Sequence, residues 1–429
     1  MQPLWAGFTF KEHQEAGIRW MLERDTMGRG GLLCDEMGLG KTMQMVGLIK
    51  NGANPVGRTL LVAPVAVLGQ WSDVITKSGM GVTRCTAKRG WQFVNAAVQV
   101  CMIGYEMAAR NPSLISIKWD RVIYDEAHRL ASNNKSTAIA KTAIATSKWL
   151  LTATPVVNRA KDIKTLLSVI GPTATVADSM LARTMDQLRA TMPGAPPKPV
   201  YHTHSLDFAT DDEAQFYKCM NGIIQKRWSA LKSDSMVARL QLFMRLRQLS
   251  LHPQVYIGAR KKAIGALYER PDWVGSSTKF DAIEGLVSEG RWIIFCHFHA
   301  EMDMLKELIG ERAQIYSGKL NAEQKVGVIE WSHQPGDKVL LVQLQSGGVG
   351  LNLQHFNRVL FTGPWWTQAL MNQAVGRAVR IGQRDVVEVH HLILKEEEAM
   401  NIDKYIQEKA TEKGELCRAV LAAASSTLK

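Results

Sequence analysis

The chain has no long apolar run among its 429 residues. No stretch approaches the roughly 20 residues that a membrane-spanning helix needs. Its opening, MQPLWAGFTFKEHQ, lacks the basic-then-apolar pattern of a secretion signal. Cysteine is sparse. Cys34, Cys85, Cys101, Cys219, Cys296 and Cys417 stand far apart without a CxxC pair, which excludes a disulfide framework or a cysteine-rich zinc site. The pairs His202/His204, His297/His299 and His390/His391 have no cysteines at zinc-site spacing and read as structural. No internal repeat is visible. Acids are too few to balance the cations: 40 Asp and Glu against 52 Lys and Arg give a formal charge of +12. What remains is an intracellular chain, of cytoplasm, nucleus or virion interior, with no membrane partner and an anionic one.

The length suffices for two or three domains. GGLLC (30–34), TLLVAP (59–64), VQVCMIG (98–104), RVIYDE (121–126) and KWLLTAT (148–154) are short apolar runs ending in polar or glycine residues. Buried parallel strands look like this, with ligand groups at their carboxyl ends. Helical patterns lie between them. The same alternation returns with RWIIFC (291–296), KVLLVQ (338–343), RVLFTG (358–363) and VVEVHHLIL (386–394). Residues 211–251 read as helical without strand signals. From Gln215 to Lys262 the only acid is Asp234, against ten lysines and arginines. The spacing predicts an α/β fold, two parallel-sheet lobes with a helical insertion between them. Its predicted parts are lobe 1 (1–172), a helical insertion and inter-lobe block (173–255), a linker (256–275), lobe 2 (276–395) and a C-terminal helical segment packing on the lobes (396–429).

Three segments carry chemistry. In DEMGLGKT (35–42), Gly38 and Gly40 let backbone N–H groups close on phosphate at a helix N-terminus. The cradle comprises Asp35, Glu36, Met37, Gly38, Leu39, Gly40, Lys41 and Thr42. Lys41 reaches the β and γ phosphates and Thr42 binds magnesium. A strict phosphate loop carries glycine where Asp35 stands. In DEAH (125–128), Asp125 holds the metal and Glu126 orients a water. In QAVGRAVRIGQ (373–383), Arg377 and Arg380 lie three apart on a predicted helix, hence on one face. Guanidinium groups there meet charge developing on a transferred phosphoryl group. Trp365 and Trp366 read as packing residues rather than base-stacking ones.

In this order the segments resemble the Swi/Snf family of DNA-translocating ATPases, within helicase superfamily two. The resemblance runs from about residue 10 to residue 421. FKEHQEAGIRWML (10–22) resembles the adenine-recognising segment, with Gln14 reading the base. The family's own phosphate loop lacks the first glycine, as here. LVAPVAVLGQW (61–71), LTATPVVN (151–158), LRQLSLHP (246–253), IIFCHF (293–298), YSGKLN (316–321) and GGVGLNLQ (347–354) resemble its further motifs.

The resemblance implies two RecA-like lobes that use ATP and Mg2+ (the latter on Thr42 and Asp125) on double-stranded DNA. It implies Lys41, Asp125, Glu126, Arg377 and Arg380 as catalytic residues. It adds Gly348 and Gly350 to the nucleotide site. It places Gln70, Trp71, Thr152, Thr154, Arg245, Arg247, Gln345 and Gly347 on nucleic acid. The sequence departs from the family at Gln343 and Gln345 (usually Ser/Thr and a cation), Ala153 (usually Gly), Val379 (commonly His) and GPWWTQ (363–368). None removes a catalytic group. The expectation is a minimal motor working as a monomer, viral or inside a larger assembly. It would remodel or displace bound protein by moving on duplex DNA. The alternatives are a strand-separating helicase and a non-catalytic DNA-binding scaffold.

Overall fold

The structure, a computed structural model, describes residues 1–52, 54, 57–86, 98–114, 116–132, 134–231, 235–344 and 351–425. The chain forms two compact units. One comprises Met1–Ala195 with Glu412–Lys429, the other Pro196–Thr411.

The first unit holds a seven-stranded, all-parallel sheet in the order β3-β4-β2-β5-β6-β1-β7. Its strands are β1 (Gly31–Leu33), β2 (Thr59–Ala63), β3 (Gly81–Arg84), β4 (Val98–Gly104), β5 (Trp119–Asp125), β6 (Ala145–Leu151) and β7 (Met180–Leu181). Alternate side chains feed two cores. Leu32, Leu60, Val62, Val122, Tyr124 and Leu150 pack on one face. Leu33, Leu61, Ala63, Ile123, Trp149 and Leu151 pack on the other. Both faces are covered, which is why these strands read as unbroken apolar runs. Helices α1 (Glu12–Thr26), α2 (Lys41–Asn51) and α3 (Leu68–Lys77) pack in the second of these cores. Asp25 on α1 is anchored under the sheet by Arg121, by Ser147 Oγ and by Trp149 Nε1 at 3.2 Å.

The second unit holds a six-stranded, all-parallel sheet in the order β10-β11-β9-β12-β13-β8. These are β8 (Val200–Leu206), β9 (Arg291–Cys296), β10 (Ala313–Tyr316), β11 (Lys338–Gln343), β12 (Arg358–Phe361) and β13 (Glu388–Leu394). Ile293, Phe295, Leu340, Val342, Val359 and Phe361 face one core; Trp292, Ile294, Cys296, Val339, Leu341 and Leu360 face the other. Helices Asp211–Ser229, Met236–Leu251 and Pro253–Ile264 form the helical part, with a core of its own around Phe216, Tyr217, Leu246, Leu249 and Tyr256.

Strands β3, β7, β8 and β10 were absent from the sequence expectation. β8 lies within the stretch expected to be an insertion, yet it pairs in register with β13 from Val200↔Glu388 to Leu206↔Leu394. It is an edge strand with mostly exposed or half-buried residues, so its sequence carries no buried-strand signal. The last helix, Ile402–Ser425, starts with Ile402 and Ile406 in the helical core of the second unit. Its later residues Leu416, Cys417, Val420 and Leu421 pack on the first unit's sheet. Among the described residues no helix is long and apolar enough to cross a membrane.

Candidate functional site

The register of the first sheet brings the phosphate loop and the acidic pair to one edge. Leu33 of β1 and Asp125 of β5 both pair with Leu151 of β6. The loop after β1, the end of β5 and Thr152 therefore emerge together at the carboxyl ends of three adjacent strands. Ligand groups gather there in open parallel sheets.

The loop's conformation depends on two glycines. Gly38 and Gly40 adopt φ of +85° and +78°, a region that other residues enter at a cost of roughly 1–2 kcal/mol. At Gly40 a Cβ would also stand 2.4 Å from Gln14 Nε2. Gly40 caps α2, whose first residue is Lys41. Lys41 Nζ donates to the carbonyls of Asp35 (2.6 Å) and Glu36 (3.3 Å). Thr42 follows, half-buried, in the first turn.

Gln14 lies over the loop. Its Nε2 donates to Leu39 O at 3.3 Å and its Oε1 accepts Lys11 N–H at 3.1 Å. His13 Nε2 is 3.0 Å from the same Leu39 oxygen, so the ring donates through that nitrogen. A cavity of about 720 Å3 opens beside it, lined by Phe10, Lys11, His13, Arg183 and Met192 among others. Asp35, buried within the loop, is held by Arg183 and Gln44.

Asp125 is fixed on every side. Trp71 Nε1 donates to its Oδ2 at 2.7 Å, and the Glu126 N–H to its Oδ1 at 2.9 Å. The Tyr105 hydroxyl donates to its carbonyl at 2.8 Å. Burial, followed by the Glu126 charge, raises the Asp125 carboxyl well above the ordinary carboxylate range; the Lys41 charge acts in the opposite direction. Glu126 has φ +49°, the one positive φ outside glycine among the described residues. Such backbone strain costs on the order of 1–3 kcal/mol and clusters at functional sites. Glu126 Oε2 stands 3.3 Å from His128 Nδ1, which lies 3.4 Å from Thr152 Oγ1.

These residues fit a magnesium ion. Mg2+ takes hard oxygen ligands, keeps several waters and needs few protein groups. Each Asp125 oxygen accepts one N–H here and keeps lone-pair capacity, and Thr42 supplies a hydroxyl.

Burial separates the residues expected on nucleic acid. Gln70 is exposed on α3. Its neighbour Trp71 is only 1% exposed and serves Asp125. Thr152 and Thr154 are buried, with Thr152 Oγ1 accepting the Thr154 N–H. In the second unit Arg245 is half-buried on Gln248. Arg247 is 5% exposed, 2.7 Å from His297 Nδ1 and 4.5 Å from the Trp365 ring. Trp71, Thr152, Thr154 and Arg247 are buried, unlike the exposed Gln70 and the half-buried Arg245. The apolar body of a Trp and the family block around Arg247 fill core positions, which motif position alone does not reveal. Gln345, Gly347, Gly348 and Gly350 lie outside the described residues.

The arginine pair also departs from expectation. The helix Gln368–Val375 stops before it, with Gly376 as its C-cap. Arg377 and Arg380 sit on the turns that follow, not on one helical face. Gln383 sustains these turns, its Nε2 donating to Gln354 O (2.9 Å) and Phe356 O (3.1 Å). Arg377 is buried and its carbonyl accepts Leu353 N–H at 3.0 Å; Arg380 Nη1 reaches Leu351 O at 3.5 Å. Trp365 stacks on His297 (5.3 Å, 6°), and Trp366 packs on Phe243. Sequence reading missed Arg183, Gln44 and the bond from Trp71. No local signal marks them, since Arg183 lies 148 positions from the carboxylate it serves.

The SNF2-related domain family matches residues 13–177, and the helicase conserved C-terminal domain matches residues 278–382. The chain is similar to a probable global transactivator of Orgyia pseudotsugata multicapsid polyhedrosis virus. The two are 27% identical over 94% of this chain and 89% of that protein. It is 26% identical to a mouse SWI/SNF-related, matrix-associated, actin-dependent regulator of chromatin (subfamily A member 1), over 96% of this chain and 43% of the relative. A putative ATP-dependent helicase/translocase of Bacillus subtilis is 25% identical, over 94% and 48%. The chain thus spans under half the length of these last two relatives. Among solved structures, a Sulfolobus solfataricus SWI2/SNF2 ATPase core in complex with dsDNA aligns with 99% of this chain and 96% of its own at 19% identity, with a TM-score of 0.44.

Proposed function

The chain belongs to the Swi/Snf (SNF2-related) family of helicase-like, DNA-dependent ATPases, and we propose that it is a translocase that moves on double-stranded DNA and displaces bound protein. The observation that carries this is the assembly of Lys41, Thr42, Asp125 and Glu126 at one edge of a parallel sheet. We assign the adenine to Gln14 and the phosphates to the amides of residues 35–42 with Lys41. Thr42 and Asp125 would hold Mg2+, which when bound neutralises charge on the phosphate oxygens. Glu126, on its strained backbone, orients the attacking water.

From the second unit we assign Arg377 and Arg380 to the charge that builds on the γ phosphate. Gly348 and Gly350 are assigned to the same nucleotide. Gln70 and Arg245, with Gln345 and Gly347, are our candidates for the tracked strand. To Trp71, Thr152, Thr154 and Arg247 we give positioning parts. Cycles of hydrolysis then become steps along one strand of the duplex.

Phosphate release measured side by side with duplex DNA, single-stranded DNA and RNA tests the reading. Stimulation by duplex DNA, with no strand released from a labelled fork, is the expected result. Release of the strand would favour a strand-separating helicase. No hydrolysis under any condition would leave a DNA-binding scaffold. Lys41→Ala and Glu126→Gln should each abolish turnover and leave DNA binding intact. Near-normal hydrolysis by either would overturn the site assignment.

A further inference from the structure

We propose that Arg183 is a positioning residue of the nucleotide site: it neutralises and aims the carboxylate of Asp35, so that a phosphate loop opening with two acids can accept a polyphosphate. This rests on the nucleotide-binding reading above. Asp35 stands where a strict phosphate loop has glycine. Its side chain is fully buried. An unpaired carboxylate there would repel the anion the loop is built to hold, with little water to screen it.

The guanidinium answers that charge as a fork. Arg183 Nε donates to Asp35 Oδ1 at 2.9 Å and Nη2 donates to Oδ2 at 2.5 Å. Bidentate pairing of this kind fixes direction as well as charge. The same Nη2 donates to Gln44 Oε1 at 2.9 Å, while Gln44 Nε2 donates to Asp35 Oδ2 at 2.9 Å. Nη1 donates to the carbonyl of His13, next to Gln14. One side chain thus ties the loop to α2 behind it and to α1 above it.

The second acid is held by the same segment. Glu36 N–H donates to Arg183 O at 2.8 Å, and Met185 N–H donates to Glu36 Oε2 at 2.6 Å. Residues 183–185, which follow β7, therefore contact both acids of the loop. A glycine leaves room for the arrangement. A Cβ on Gly17 would stand 2.1 Å from Gln44 Oε1 and 2.7 Å from Arg183 Nη2.

An ion pair that only stabilises the fold would affect every ligand alike. One that cancels charge beside the phosphates acts in proportion to ligand charge. The experiment compares fluorescent ATP, fluorescent ADP and plain adenosine on the full chain carrying Arg183→Gln, Arg183→Lys or Asp35→Asn with Arg183→Gln. Arg183→Gln strands a buried carboxylate and should weaken ATP on the order of 30-fold, ADP by less and adenosine hardly at all. Arg183→Lys keeps the charge without the fork and should fall between. The double variant removes both charges and should regain most of the ATP affinity. It also covers the case in which Arg183→Gln does not fold, because it strands no charge. Equal losses for the three ligands, or a double variant that binds ATP no better than Arg183→Gln, would overturn the proposal. If the unaltered chain bound no nucleotide, the functional reading would fail instead.

Discussion

Trp71 and Gly40 show how single residues shape the candidate site of the first unit. The indole N–H of Trp71 holds Asp125 Oδ2 at 2.7 Å and so fixes the carboxylate's rotation. Trp71→Phe keeps the ring in the core and removes the donor. A hydrogen bond to a charged group contributes about 1.5–3 kcal/mol, so turnover should fall at least about tenfold with a higher Mg2+ requirement. Phosphate release titrated with Mg2+ checks this; an unchanged curve would show that Trp71 only packs. Gly40→Ala should weaken ATP binding, because Cβ meets both a left-handed φ of +78° and the Gln14 amide at 2.4 Å. A fluorescent ATP analogue reads that loss directly, and affinity like that of the unaltered chain would refute it. Lys41, Asp125 and Glu126 were expected from two short motifs, and the sheet register brings those motifs to one edge. Arg183 was not, because its partner Asp35 comes from a distant segment through side-chain geometry alone.

At the scale of elements, legibility follows burial. Strands covered on both faces, such as Thr59–Ala63 and Arg291–Cys296, are unbroken apolar words in the sequence. The edge strand Val200–Leu206 alternates histidines and small polar residues instead. The predicted helix through Arg380 ends five residues early, at Val375, and Gln383 holds the turns that follow with side-chain bonds. The β8–β13 edge also has a pH consequence. His204 Nε2 lies 2.9 Å from His390 Nδ1, and His202 stacks on His390 at 4.7 Å. Burial first, then the charges of His202 and His204, lower His390 to about 4; Glu388 opposes the shift and Arg358 adds to it. Burial likewise lowers His391, His252 and His355 to about 4. The unfolded chain takes up these protons near pH 6.5 and the folded chain only near 4. The associated stability is therefore complete above pH 6.5 and is lost progressively between pH 6.5 and 4. Urea midpoints should fall between pH 7.5 and 5, and His390→Gln should flatten that fall if it folds alike. A midpoint independent of pH over that window would show that these rings titrate normally.

For the whole molecule, the decisive quantity is charge and where it lies. The formal charge of +12 is a property of the chain, and the helical part concentrates cations. Several of them are engaged within the protein: Lys218 with Glu398 at 2.6 Å, Lys261 with Asp272 at 2.9 Å, and Arg247 with His297. These bonds were invisible in the charge count and reduce the cations available to a phosphate backbone. Lys226, Arg227 and Lys262 remain exposed on helices Asp211–Ser229 and Pro253–Ile264. If they contact duplex DNA, each contact releases counterions and adds about 0.9 to the slope of log affinity against log salt. Changing all three to Gln should weaken DNA binding alike for unrelated sequences and reduce the slope by up to about 2.7. The same variant should hydrolyse ATP normally at saturating DNA, since none of the three touches the phosphate loop. Salt titrations by fluorescence anisotropy on two unrelated duplexes decide the matter. An unchanged slope would place the DNA on another surface of the molecule. A change confined to one duplex would mean base recognition in place of the sequence-blind grip that the proposed motor requires.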